Sequence, residues 1–237
     1  MAASITAAGK PVMSMKSRSW LAVCCAAVGL VLVVACGASS TTLEFEKTAV
    51  TTPDIVSDNL TVIVMGDSIA FGFGVPYEER WATIFAEQTG NDLVNLGIVG
   101  TRSNGLVEQI FDWPSGRSQS QLDEALSLLA EATPGAVSTV TLGIGLNDWL
   151  WLRDLDGTFC AFTTTPACDD LVAQAIAGIE VNLHIILTEL TAALEPDTHL
   201  LVMTYYDIWN ADSTAAMNSI ILSEIAEHGA IHVDAAK

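Results

Sequence analysis

Short apolar runs alternate along the chain with longer stretches whose apolar residues recur at helical spacing. The short runs are Leu60–Met65, Asp92–Asn95, Val137–Leu142, His199–Tyr205 and Ile231–Val233. Most are rich in β-branched residues and are followed closely by glycine or aspartate, which predicts strands. Between most of them lie helical patterns. Trp81–Gln88 is short. Gln121–Glu131 sets Leu122, Ala125, Leu126 and Leu129 on one face, and Thr133-Pro134-Gly135 ends it. Asp169–Glu195 carries a stripe of Val172, Ile176, Ile179, Leu183, Ile186, Leu190 and Leu194. Asp169 and Asp170 suit its positive N-terminus, and Pro196 stops it. Ser213–His228 is the last helix, closed by Gly229. Alternating strand and helix predicts an α/β domain with a mainly parallel five-stranded sheet and helices on both faces. In such sheets functional groups collect beyond the carboxyl ends of the strands. The loops there are Gly66-Asp67-Ser68, Gly97–Ser103, Gly143–Asp148 and Tyr206-Asp207.

One apolar stretch fits neither pattern. Trp20–Ala35 carries no charge and follows Lys16 and Arg18. It is short for a membrane span and the right length for the core of a signal peptide. It ends in Val33-Val34-Ala35-Cys36-Gly37, which resembles the bacterial lipobox. The resemblance implies cleavage before Cys36, diacylation of that cysteine and attachment to a bacterial membrane surface without a spanning helix. An uncleaved anchor helix and a plain secretory peptide are the alternatives. Gly37–Asn59 is small, polar and broken by Thr51-Thr52-Pro53, as in a tether. The expected organisation is a signal peptide over 1–35, a lipidated Cys36 and tether over 36–59, and a folded domain over 60–237. The expected location is extracytoplasmic.

Charge and cysteine content narrow the picture further. The net charge is −19, and the three basic residues before Cys36 are accompanied by no acid, so the domain itself is more acidic still. That excludes the basic footprint nucleic-acid binding needs. Cys24 and Cys25 would leave with the signal, which leaves the pair Cys160 and Cys168. In an oxidising compartment a disulfide is the natural reading. No histidine lies near the pair, so a metal site there is not expected.

Three loops need a common explanation. Gly66 hands over Ser68 at the end of the first strand. The glycine-rich Asn95–Thr101 segment exposes backbone N–H groups, and Gly143–Asp148 places the Asn147 amide at a strand end. Together they can supply a nucleophile and donors for the negative oxygen of a tetrahedral intermediate. Gly66-x-Ser68-x-Ala70 lacks the second glycine of the α/β-hydrolase elbow, and Gly143-x-Gly145-x-x-Asp148 is not a dinucleotide fingerprint.

Gly66-Asp67-Ser68-Ile69, Gly100 in its Asn-x-x-x-x-Gly setting, and Gly145-x-Asn147-Asp148 resemble blocks I, II and III of the GDSL/SGNH hydrolases, over a match from about Leu60 to the C-terminus. The resemblance implies a flavodoxin-like three-layer αβα sandwich. It implies a serine esterase or acylhydrolase that cleaves carboxylic ester or thioester bonds through a Ser68 acyl-enzyme. The backbone of Ser68, the Gly100 N–H and the Asn147 amide would form the oxyanion hole. No metal or organic cofactor is expected. Lipid esters, acylated sugars and thioesters are all within the family's substrate range.

The family's remaining element is an Asp-x-x-His near the C-terminus, and none of the four histidines sits in that setting. His184 flanks the stripe of the long helix, His199 begins a strand, His228 ends the last helix and His232 lies in the last strand. The catalytic histidine and aspartate are therefore expected in a segment missing after Lys237, with the chain as written inactive or very weak. The fifth strand would then keep exposed apolar surface. A non-catalytic ligand-binding lipoprotein on the same scaffold is the alternative. Trp149, Leu150 and Trp151 either wall an acyl site or pack a loop, and Phe71 and Phe73 invite the same two readings. Arg102 beside Gly100 is placed either to meet a substrate carboxylate or phosphate or, the favoured reading, to pair with one of the many acids. Asp67 is expected to bond within its own turn, and Tyr206, Asp207 and Asn210 to shape the cleft rim.

Overall fold

Five strands form one parallel sheet: β1 Thr61–Gly66, β2 Asp92–Asn95, β3 Val137–Gly143, β4 His199–Thr204 and β5 Ile231–Asp234. Their order is β2-β1-β3-β4-β5, and every pairing is parallel. The computed structural model describes residues 59–107, 119–207 and 211–235. The described residues belong to a compact unit, Thr48–Lys237. The signal segment, Cys36, the tether up to residue 58, and Asn210 lie outside the described residues.

All six residues of β1 are buried because the strand is covered on both faces. Val62 and Val64 pack with Ala70 and Ala82 on one face, and Ile63 and Met65 join the larger cluster on the other. The first face is covered by α2, Trp81–Thr89. The second is covered by α4 (Gln121–Glu131), α6 (Pro166–Ala193) and α7 (Ala211–His228), which supply Leu128, Leu183, Ile186, Leu190, Met217 and Ile221. This division follows from right-handed crossovers. The β1-to-β2 step runs one way along the sheet and the later steps run the other. Two rows across the sheet record the asymmetry. Met65, Leu142 and Val202 stand level and are fully buried. Val64, Thr141, Leu201 and Ile231 form the adjacent row, and exposure grows along it until Ile231 is 47% exposed.

The strand positions agree with the sequence to within a residue. The long helix differs. It begins at Pro166, three residues before the expected Asp169, and ends at Ala193, two residues before Glu195. Thr165 is its N-cap, accepting from Cys168 N at 3.2 Å, and Pro166 is the first helical residue. Helix α7 begins at Ala211, two residues before the expected Ser213. Three one-turn helices escape the periodicity altogether: α1 Ser68–Phe71, α3 Ser103–Val107 and α5 Leu146–Leu150.

Candidate active site at the β1/β3 crevice

The chain leaves β1 toward β2 on one side and later enters β3 on the other, so the carboxyl ends of β1 and β3 flank a topological switch point. Gly66 closes β1 beside Gly143 of β3. It takes a φ of +136°, and a Cβ there would stand 2.0 Å from the Gly143 carbonyl oxygen. Only glycine lets β1 turn sharply at that contact. Asp67 then caps α1, and Ser68 is the first residue of that helix. As a first helical residue Ser68 has no intrahelical acceptor for its N–H. Ser68 is half-buried, and its hydroxyl has no hydrogen-bond partner among the described residues.

The loop after β2 is tied down on three sides. Asn147 Nδ2 donates to the Thr101 carbonyl at 3.0 Å. Asp148 accepts from Ser103 N at 2.8 Å and from the Ser103 hydroxyl at 2.6 Å. Asn182 of α6 donates to the same hydroxyl oxygen at 2.8 Å. Between these anchors Gly100 lies exposed at φ +81°, in a turn closed by Thr101 N donating to the Ile98 carbonyl. The Gly100 N–H has no acceptor among the described residues. Asn147 Oδ1 accepts from Trp151 Nε1 at 3.2 Å. Its Nδ2 keeps one hydrogen beyond the Thr101 bond. The three block residues thus stand just beyond three adjacent strands, with Asn147 bonded directly to the residue after Gly100.

A buried carboxylate precedes Ser68 in the chain. Asp67 is fully buried, accepting from Ile69 N at 2.8 Å and from the Tyr205 hydroxyl at 2.9 Å. Burial pushes its carboxyl up to about 6, against the pull of the Ile69, Tyr205 and Ala70 donors, and the charge of Asp148 adds to the rise. Asp148 is raised in the same direction by burial, opposed by the Ser103 bonds and by the charge of Arg102. Tyr205 is pushed well above its ordinary range by burial and by Asp67.

Several residues that hold the site carried little sequence signal. Gln121 of α4 is fully buried and bonds both main-chain groups of Gly66: Gly66 N donates to its Oε1 at 2.8 Å, and its Nε2 donates to Gly66 O at 2.9 Å. Asn218 of α7 does the same for Tyr205, at 2.9 and 2.7 Å. An amide in a first helical turn, and another on a mostly buried helix face, were the available hints. The aromatic cluster divides. Trp149 and Leu150 are core, with Trp149 Nε1 on Met217 Sδ at 3.4 Å. Trp151 is exposed and stacks edge-on with Phe159, which meets Phe162 in the same way. Phe71 lies under the Arg80 guanidinium at 4.5 Å, and Phe73 is exposed. Tyr206 and Asp207 are exposed beyond β4.

The sequence placed none of the histidines in a catalytic setting, and the fold keeps them from Ser68. His232 stands level with Met65 but three strands away, about 14 Å at ordinary strand spacing. It bonds the Thr204 hydroxyl at 2.9 Å. His199 begins β4, and His184 and His228 meet near the start of β5, at the opposite end of the sheet. Cys160 and Cys168 form a disulfide between a 3-10 turn, Cys160–Phe162, and the first turn of α6.

Among solved structures the chain is similar to AlinE4, an SGNH-hydrolase family esterase, at 14% identity over 75% of this chain and 76% of that one, with a TM-score of 0.46. It is similar to the psychrotrophic esterase EstA from Pseudoalteromonas sp. at 19% identity over 73% and 76%, with a TM-score of 0.46. It is also similar to Axe2, an acetylxylan esterase from Geobacillus stearothermophilus, at 15% identity over 77% and 78%, with a TM-score of 0.47. No curated protein matches it. The family model for GDSL-like lipases and acylhydrolases matches residues 64–237 and so takes in the second half of β1, strands β2 to β5 and the helices α1 to α7. The chain belongs to the GDSL-like lipase/acylhydrolase family of ester hydrolases.

Proposed function

We propose that Ser68 is the nucleophile of an esterase acting through an acyl-enzyme, with the Ser68 and Gly100 N–H groups and the Asn147 amide as oxyanion donors. The observation that carries this reading is a Ser68 hydroxyl without a partner among the described residues, at the same end of the sheet as the Gly100 N–H, which has no acceptor there, and an Asn147 amide that keeps one hydrogen beyond its Thr101 bond. The Ser68 oxygen adds to an ester carbonyl carbon, and the donors hold the resulting oxyanion. The alkoxide leaves with a proton, and water cleaves the acyl-serine. Trp151, exposed and bonded to Asn147, and the half-buried Phe159 and exposed Phe162 that continue from it suit an apolar acyl or aryl group. The substrate class is a lipid ester, an acylated sugar or a thioester. The lipobox-like segment supports export, lipidation at Cys36 and tethering to a bacterial membrane through residues 37–59.

Residues 1–237 contain no Asp-x-x-His, and no described histidine reaches Ser68. A polypeptide of these residues is therefore expected to be inactive or very weak in turnover. The same observation favours a second reading, a non-catalytic ligand-binding lipoprotein on this scaffold. A fluorophosphonate probe and a short-chain p-nitrophenyl ester, each tested on the 1–237 polypeptide and on Ser68→Ala, separate the two. Labelling confined to Ser68 with little turnover is the expected result. Equal labelling of both proteins, or none, favours the binding protein. Brisk turnover abolished by Ser68→Ala would show that residues 1–237 suffice for ester cleavage.

A further inference from the structure

The last two helices bring two imidazoles and a carboxylate to one point, at the end of the sheet opposite Ser68. His184 lies in the second half of α6, and Glu224 and His228 lie in the last two turns of α7. Positions four apart share a helix face, so Glu224 and His228 project together. His184 Nδ1 lies 3.3 Å from Glu224 Oε2. His228 Nε2 lies 3.4 Å from the same oxygen and 3.4 Å from His184 Nδ1. Glu227 adds a second carboxylate, its Oε1 3.8 Å from His184 Nδ1.

The size of this triangle is informative. Hydrogen bonds to oxygen usually span about 2.7–3.2 Å, so all three edges are long for that purpose. A tetrahedral centre with bonds of about 2.0–2.1 Å holds its donors about 3.3–3.4 Å apart. Two ring nitrogens and one carboxylate oxygen therefore stand where three corners of such a tetrahedron would be. The donor chemistry agrees. Imidazole with carboxylate suits zinc and its late first-row neighbours, whereas calcium and magnesium want a shell of oxygens. Access agrees as well: the Glu224 and His228 side chains are 7% and 10% exposed, but that of His184 is 51% exposed, giving the set a protected floor and an open side.

We propose that His184 Nδ1, Glu224 and His228 Nε2 bind one zinc-class divalent cation, with Glu227 or water in the fourth position. The ion joins α6 to α7 just before the chain enters β5, far from the ester-cleaving crevice. It fastens the last crossover and takes no part in ester chemistry. The residues are 40 and 44 positions apart across the two helices, so no local spacing announces them.

The test uses the untagged, chelator-stripped full chain. Calorimetric titration with zinc chloride is expected to show one equivalent bound, and the thermal midpoint to rise with zinc concentration. Cobalt(II) is expected to give the visible absorption of a tetrahedral centre, and magnesium to bind no tighter than it does to the variants. His184→Ala, at the open side of the set, and His228→Gln should each abolish zinc binding and the midpoint shift. No saturable binding by the wild-type chain overturns the proposal, as does binding that survives both substitutions. If His228→Gln does not fold, the exposed His184 position decides alone.

Discussion

The Tyr205 hydroxyl donates to Asp67 across 2.9 Å, joining the residue that follows β4 to the one that follows β1. Asp67 is in turn the cap of the short helix that begins with Ser68. The candidate nucleophile therefore rests on a carboxylate taken out of water, and the state of that carboxylate is tied to the stability of the fold.

The pH dependence follows from the direction of the shift. Asp67 is raised to about 6 in the folded chain, so the native state binds its proton more tightly than the unfolded state does. The stability this contributes is complete below about pH 4 and is lost as pH rises through about 6, a change of roughly 3 kcal/mol. Urea unfolding of wild type and Asp67→Asn at intervals from pH 4 to pH 7 checks this. The variant should gain on the wild type by about 2–3 kcal/mol across that range. Parallel profiles would show that Asp67 does not titrate in this window.

Gly66 should be far less tolerant than other glycines of positive φ. Gly66→Ala drives a methyl group into the Gly143 carbonyl and is expected to cost at least about 3 kcal/mol. Gly135 has a φ of +79° and open space around it, so Gly135→Ala should cost only roughly 1 kcal/mol. Denaturation midpoints of the two variants measure the difference, and comparable losses would count against the close approach of β1 and β3.

Reducing the Cys160–Cys168 bond should lower stability by about 2–3 kcal/mol, the chain-entropy value for so short a loop. Both cysteines are almost fully buried, so reductant should act slowly, through local opening at the start of α6. Unfolding curves with and without reductant, set beside a Cys160→Ala/Cys168→Ala double variant, test the value. Equal stability of the oxidised and reduced chains would contradict it.

What could be read from the sequence follows physical lines. Val62–Met65 announces a strand because a parallel strand buried on both faces must be apolar throughout. The start of α6 was also written in the sequence, since Thr165-Pro166 is a cap followed by a first-turn proline, but the paired acids at 169–170 drew the boundary inward. The one-turn helices were not legible. Four or five residues show no period, and their geometry is fixed by distant partners, such as Trp81 Nε1 on the Ile69 carbonyl and Asp148 on Ser103. Ser68, Gly100 and Asn147 could be picked out because each follows a strand. Tyr205, Gln121 and the His184–His228 pair could not, because their meaning lies in a partner 44 to 138 residues away.

The amides of Gln121 and Asn218 have a dynamic consequence. Each grips both the N–H and the C=O of a residue at or just beyond a strand end, Gly66 and Tyr205, where a β-ladder would otherwise fray. Their amide protons should exchange on the timescale of global unfolding, although they sit next to loops. The ground beneath Ser68 is thereby set once, when the domain folds. Any adjustment made as an ester enters is left to the exposed glycine turn at Gly100 and to Trp151 on Asn147.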